Sequence, residues 1–504
     1  MSLLSTLLYL VLPALGLLYA YLRRKYAYWN DRNVPNDPGQ FPMGTFAGTG
    51  TKYHFTQTMD RVYRQFKRVS PIAGMYMTVS PVLLLIDLEL VKQVLVKDFN
   101  FFRDRGVYYN EKDDPLSAHL FSIEGDKWRF LRNKLSPTFT SGKIKYMFLA
   151  VREIGDQFLH GFDKYVESGS PVDLKALAQR FTCDVIGSCA FGLNCNSLKN
   201  EGSELLTIGD KVFNAGPLQF FKIIFMTSCT EISRKLGLKV VPNDVTEYFM
   251  NVVRGTVDHR EKNNVMRSDF LQLLMQLKNK GTVEDHEEES QDKISMDEVA
   301  AQAFLFFFAG FETSSTALSF ALFELASNQG IQEKTRAEVK RVLAAHGGQI
   351  TYEALKDMTY LEQVVNETLR LHPPVGNLFR VANQPYRLSK TELTIEKGTM
   401  LMIPVTSIHQ DQEIYPNPWQ FDPDRFTPEA IQARHTHAFL PFGDGPRNCI
   451  GMRFALLEVK FGIAALLSKL KFTVNSRTQV PLELNVKSTL TEAKGGLWLD
   501  VARI

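Results

Sequence analysis

The stretch Phe442-Gly-Asp-Gly-Pro-Arg-Asn-Cys-Ile-Gly451 sets one cysteine, Cys449, in a turn built from Gly443, Gly445, Pro446 and Gly451, directly ahead of a helical run at 452–469. Glycine permits positive φ and lets amide N–H groups point inward at a sulfur. The start of a helix adds a partial positive charge. Both favour the thiolate, the form of cysteine that reacts and binds metals. Taken alone, the loop also fits a small buried cysteine in a glycine turn, since free cysteine packs as a small hydrophobe.

Three further patterns carry polar groups at useful spacings. Ala309-Gly-Phe-Glu-Thr313 places small residues and a hydroxyl at i, i+4 inside a run that is otherwise apolar. Thr313 can bond back to the carbonyl four residues earlier and loosen the helix there. Ordinary helix packing at small residues, with the polar pair turned to water, explains the motif as well. Trp128 and Arg132 are likewise i, i+4 and can aim an indole N–H and a guanidinium at one anion, though any amphipathic face has such pairs. Glu367 and Arg370 are opposite charges one turn apart, a pairing worth little when exposed.

Together, and in this order along the chain, the motifs resemble those of the cytochrome P450 family. The loop matches as Phe442-x-x-Gly445-x-Arg447-x-Cys449-x-Gly451, and Pro423-Asp-Arg425-Phe426 matches the family's Pro-x-Arg-Phe segment, with Asp424 where Glu is often found. The resemblance implies haem b as cofactor, with Cys449 as the iron's axial thiolate and Phe442 opening its loop. It implies Thr313 and Glu312 as the oxygen-handling and proton-delivering pair, with Ala309 beside the oxygen notch. Trp128, Arg132, Arg380, Arg447 and Arg105 would hold the haem propionates. Glu367, Arg370 and Arg425 would form a structural network under the loop. By family position, Phe121, Leu305, Phe308, Val375, Leu378 and Leu490 would face substrate.

Thr138-Phe-Thr-Ser-Gly-Lys143, Phe308-Ala-Gly-Phe-Glu-Thr-Ser-Ser315 and the run on to Arg453-Phe454 are similar to insect microsomal members that metabolise xenobiotics. The implied reaction inserts one oxygen atom from dioxygen into an apolar substrate such as a plant toxin or insecticide. No nicotinamide or flavin domain is visible, so electrons would come from NADPH through a cytochrome P450 reductase, with cytochrome b5 as a further partner. Arg129, Lys134 and Arg453 are the expected docking residues. The alternatives are an endogenous lipid or hormone as substrate, a haem-thiolate isomerase or dehydratase, and a haem carrier without turnover. The intact Glu312-Thr313 pair argues against an isomerase.

The elements that must position these groups follow from the chain pattern. At 504 residues, with 44% hydrophobic and 22% charged residues, the chain can bury a large core. A net charge of +3 is too small to argue for nucleic acid. Five cysteines with no C-x-x-C pair form no disulfide framework, and Cys183, Cys189 and Cys195 read as core packing.

Residues 3–22 carry no charge and are followed by Arg23-Arg24-Lys25, which reads as an N-terminal transmembrane helix with a stop-transfer flank. The expected domains are a membrane anchor at 1–25, a Pro/Gly connector at 26–50 and a haem-thiolate monooxygenase domain at 51–504. The implied location is the endoplasmic reticulum membrane, with the catalytic domain on its cytosolic face.

Ser295-Met-Asp-Glu298 is a capping box opening a helix to about 328, with Gly330 as its stop. Its apolar stretch 299–311 must pass through the centre of the molecule. Helices are expected at 56–67, 88–97, 127–135, 144–167, 173–190, 204–213, 243–278, 332–345 and 361–371. Strands are expected at 72–79 and 81–86, joined at Ser80-Pro81, in the region 375–407, and at 471–475 and 496–503. Residues 411–441 read as an irregular lead-in to the loop, and 284–292 as a solvated acidic loop. The fold class is therefore mainly α with a smaller β region, a single catalytic domain of the cytochrome P450 fold.

Overall fold

The computed structural model describes residues 3–200, 202–213, 217–267, 269–282 and 293–504, with the side chains of 3–11, 210 and 217 outside that description. The acidic run expected at 284–292 lies outside the described residues. The architecture is mainly helical with a minor β portion.

Its axis is the helix Met296–Ser327, whose capping box forms as expected. Ser295 Oγ accepts from Glu298 N at 3.1 Å, and Glu298 Oε2 accepts from Ser295 N at 2.8 Å. Apolar on every side over 299–311, this helix is largely buried. Leu174–Ile186, Asn243–Asn263, Thr359–Leu371 and Met452–Leu467 all pack against it.

The largest sheet runs in the order Ile72–Met77, Ser80–Leu85, Met400–Ile403, Leu378–Val381. Its outer pairs are antiparallel, and Val82–Leu84 runs parallel to Met400–Met402. This sheet brings Leu378 and Arg380, far along the chain, beside residues near its start. Leu470–Val474 and Trp498–Arg503 pair antiparallel at the C-terminus, with Val172–Asp173 added at the edge.

The expected N-terminal transmembrane helix is corrected. Among the described residues, the one helix long and apolar enough to cross a membrane is Met296–Ser327, with 78% of its apolar window buried in the protein. A helix does form at Leu3–Tyr26, with Pro13 inside it. Its last turn carries Arg23, Arg24 and Lys25.

Residues 26–50 lie on the first sheet. Trp29 is 1% exposed and donates Nε1–H to Met75 O at 2.9 Å. A Cβ on Gly74 would come within 2.4 Å of that indole, so the glycine makes room for it.

Elsewhere the differences from expectation have local causes. The first hairpin turns at Thr78-Val79, with Thr78 at φ 54°, and Pro81 sits inside the second strand. The helical stretch at 243–278 is broken after Asn263 by Asn264 in the left-handed region. Asn328, not Gly330, ends the central helix, and Gly330 belongs to the next helix, Gln329–Ala345. Val405–His409 is helical where strand was expected, and helices at Pro217–Ser228 and Thr230–Lys235 were not foreseen.

Candidate active site

The cysteine loop folds tightly. Cys449 N–H donates to Phe442 O at 2.9 Å and Asn448 N–H to Gly445 O at 3.0 Å. Gly443 and Gly445 take φ of 68° and 71°. At Gly445 a side chain is excluded outright, because its Cβ would stand 1.9 Å from Leu95 O. Gly451, at φ −90°, is the N-cap of Met452–Leu467.

The sulfur opens onto an internal cavity rather than bulk solvent, so it is accessible yet enclosed by protein. Burial pushes the thiol pKa up, opposed by the Gly451 N–H and by Arg132 and Arg105. The loop alone therefore does not hold a free thiolate; a cation against the sulfur would.

Thirteen of the residues expected from sequence meet at this one cavity: Arg105, Phe121, Trp128, Arg132, Leu305, Ala309, Thr313, Val375, Leu378, Arg380, Phe442, Arg447 and Cys449. The central helix presents Leu305, Ala309 and Thr313 there at four-residue spacing, which keeps them on one face. Thr313 Oγ1 donates to Ala309 O at 2.6 Å.

Four guanidinium groups ring the cavity. Arg132 donates to Asn448 O at 3.1 Å and to Asn448 Oδ1 at 2.9 Å, so helix Gly125–Leu135 braces the loop. Arg105 donates to Phe121 O at 2.9 Å and to Arg447 O at 2.8 Å, lying 4.2 Å over the Phe121 ring. Arg447 stacks 4.1 Å over Trp128 and donates to Ile123 O at 2.9 Å. Among the described residues only Arg447 of the four pairs with a carboxylate, Asp104, at 3.4 Å.

Arg380 is 2% exposed and, among the described residues, bonds only the Phe379 carbonyl and leaves its Nε without a partner. Burial pushes Arg380 down to about 10 and Arg447 to about 9. Arg105 is also lowered, by burial and then by the other three arginines. Buried positive charge short of counter-charge fits a cofactor carrying two carboxylates, above a cysteine suited to an iron.

Three expected site residues lie elsewhere. Phe308 does not line the cavity; it packs among Phe304, Phe307, Phe249 and Phe213, with ring centroids 4.5–5.6 Å away. Leu490 also lies off the cavity, with its carbonyl 3.2 Å from His54 Nε2. Glu312 is 7% exposed and lines a separate polar cavity with Lys175, Gln179, Asp173 and Glu492. Its carboxylate meets Lys175 Nζ at 2.8 Å and Gln179 Nε2 at 2.9 Å. Adjacent residues on a helix are about 100° apart, so Thr313 and Glu312 face different cavities. Lys175 and Gln179 were not foreseen; their signal is an i, i+4 polar pair on a helix that is otherwise buried.

Beneath the loop, Arg370 makes two bonds of 2.7 Å to Glu367, both side chains fully buried, and donates to His409 O at 2.9 Å. Arg425 Nε lies 3.5 Å from Glu367 Oε1, and its NH2 donates to Pro416 O at 2.7 Å. His409, whose pKa burial pushes down to about 3, accepts from Leu440 N at 2.8 Å. These bonds tie the irregular lead-in at 409–440 to helix Thr359–Leu371 and so fix the approach to Cys449. Elsewhere, Cys183, Asp184 and Cys195 bring their ligand atoms within 4.8 Å of one another, outside the Cys449 cavity.

The chain matches the family model described as cytochrome P450 over residues 38–499. It is similar to "Probable cytochrome P450 6a14" of Drosophila melanogaster, 43% identical over 98% of this chain and 99% of that protein. It is also similar to "Cytochrome P450 6A1" of Musca domestica, 43% identical over 99% of this chain and 98% of that protein. "Cytochrome P450 6a2" of Drosophila melanogaster is 41% identical, with 99% of both chains covered.

Proposed function

We propose a division of labour among the site residues on the premise that this chain belongs to the cytochrome P450 family. The protein is a haem-thiolate monooxygenase of apolar, xenobiotic substrates, with haem b as cofactor and electrons drawn from a redox partner. The observation that carries the division is one cavity bordered by the Cys449 sulfur, the Thr313 hydroxyl and four arginines.

Cys449 would hold the haem iron through its sulfur, which borders the cavity. Trp128, Arg132, Arg105, Arg380 and Arg447 would bind the propionates, with Arg380 Nε, which has no partner among the described residues, offering a donor. When bound, the haem supplies the iron at which dioxygen is reduced and one oxygen atom passes to substrate.

Thr313, whose hydroxyl is held on the Ala309 carbonyl, would offer that hydroxyl to oxygen in the cavity. Ala309 leaves the space beside it open, and Phe442 shields the loop from water. Glu312 carries protons from the polar cavity to the Thr313 hydroxyl, and Lys175 holds it between transfers. Glu367, Arg370 and Arg425 keep the lead-in fixed.

Phe121, Leu305, Val375 and Leu378 form the substrate wall, which favours apolar and aromatic compounds. We propose plant toxins and insecticides as those compounds, and residues 51–504 as the catalytic domain. We also propose the endoplasmic reticulum membrane, cytosolic face, as the location, on the resemblance of the sequence motifs to those of insect microsomal members. The proposed electron donor is NADPH-cytochrome P450 reductase, docking at the basic residues Arg129, Lys134 and Arg453, with cytochrome b5 as a second partner.

The test is NADPH-dependent oxygen uptake with purified reductase over a panel of toxins, insecticides, sterols and terpenoids. Turnover of several foreign compounds is expected. Exclusive turnover of one endogenous sterol or terpenoid would overturn the substrate class, and product formed without reductase would overturn the monooxygenase reading.

A further inference from the structure

His54 is the N-cap of helix Phe55–Phe66 and is 1% exposed. Its Nδ1 accepts from Thr56 N at 3.3 Å. A ring nitrogen that accepts from a backbone N–H carries no proton, so in the neutral ring Nε2 carries the hydrogen. Burial lowers the His54 pKa and keeps the ring neutral. Nε2–H therefore donates to Leu490 O at 3.2 Å, joining a helix near the start of the chain to a segment near its end.

The next residue carries the connection onward. Thr491 N–H donates to Pro374 O at 3.1 Å and its hydroxyl to Pro373 O at 2.6 Å. Gly376 O accepts from Thr406 N at 3.0 Å. Gly376 has no free space: a Cβ would lie 2.3 Å from Thr56 Cγ2 and 2.4 Å from Thr406 Oγ1. The carbonyls of Pro373, Pro374 and Gly376 are thus all engaged. Pro374, Val375 and Leu378 line the Cys449 cavity. The backbone that sets this wall is held by the Leu490–Thr491 segment, by Thr406 and by the start of the capped helix, and His54 joins the first of these to the last.

We infer that His54 is a positioning residue for the substrate wall, acting through Leu490 and Thr491 on Pro374 and Val375. The inference rests on the proposed substrate role of Val375 and Leu378. Asparagine separates the two jobs of His54, because it is a favoured N-cap but ends short of Leu490.

The experiment compares the wild-type holoenzyme with His54→Asn, Thr491→Val and Val375→Ala, using 7-ethoxycoumarin and reductase. The ratio of O-deethylation to ring hydroxylation is read alongside amide hydrogen exchange at 484–493. His54→Asn is expected to keep the reduced carbon monoxide spectrum, speed exchange at 488–491, and change the product ratio by about fivefold, the size of one net hydrogen bond. KM should move more than kcat. Thr491→Val should move the ratio the same way, and carries the test if His54→Asn fails to fold. An unchanged ratio in both, with Val375→Ala changing it, would overturn the inference and leave His54 a helix cap. An unchanged ratio in all three would overturn the substrate-wall reading and the inference with it.

Discussion

Lys175 Nζ lies 2.8 Å from Glu312 Oε1, and the carboxylate it holds faces a different cavity from the one lined by Thr313, the next residue. The same ammonium donates to Ser315 Oγ at 2.9 Å and Thr316 Oγ1 at 2.7 Å, so it grips the central helix where Thr313 loosens it. If Glu312 moves protons to Thr313, Glu312→Gln should lower kcat by about 10²-fold, the usual size of a general-acid contribution. Its substrate dissociation constant should stay unchanged by spectral titration. Lys175→Met should instead cost stability, about 3 kcal/mol for a broken buried pair, read as a fall in Tm.

The arginine ring predicts a graded loss of cofactor. Arg380→Leu removes a buried cation whose Nε has no partner among the described residues, so its loss should lower haem retention with little effect on secondary structure. Arg447→Leu removes a cation that also bonds Ile123 O and pairs with Asp104, so it should lower both haem content and Tm. The haem-to-protein ratio after gel filtration, with circular dichroism beside it, checks both.

Two glycines of the loop should behave differently. Gly445→Ala would set a methyl 1.9 Å from the Leu95 carbonyl at a φ of 71°, and should give protein without haem. Gly451→Ala meets nothing nearer than 3.9 Å, at Phe139, with φ at −90°, and should load normally. Haem incorporation during expression distinguishes them.

Glu458, on the helix that follows Cys449, is 1% exposed, and among the described residues neither carboxyl oxygen has a partner in good hydrogen-bond geometry. Burial pushes its pKa from 4.5 up to about 8, and the nearby Ser314 hydroxyl only partly opposes this. The folded state therefore holds this proton more tightly than the unfolded chain. The group's contribution to stability is complete below about pH 4.5 and is lost as pH rises through about 8. Tm measured from about pH 5 to 9 should fall across that window in the wild type, and Glu458→Gln should flatten that slope.

The loop motif, the capping box at Ser295 and the all-round apolar helix were legible because each is set by residues close in sequence. Leu305, Ala309 and Thr313 follow from helical spacing, and that spacing also separates Glu312 from Thr313. Phe308 was not legible: a helix apolar on every side does not reveal which phenylalanine faces a cavity and which meets Phe249. Leu490 and Lys175 owe their places to bonds across 436 and 140 residues, to His54 and Ser315, that no local pattern carries. The break at Asn264 depends on one residue taking a positive φ inside an otherwise helical pattern.

The most direct test of the central claim, that Cys449 is the iron ligand of a haem monooxygenase, is the absorption spectrum of the reduced protein under carbon monoxide. The wild type should show the strongly red-shifted Soret band of thiolate ligation, and Cys449→Ser should lose it. A Cys449→Ser protein that kept the band, or a wild type without it, would contradict the account.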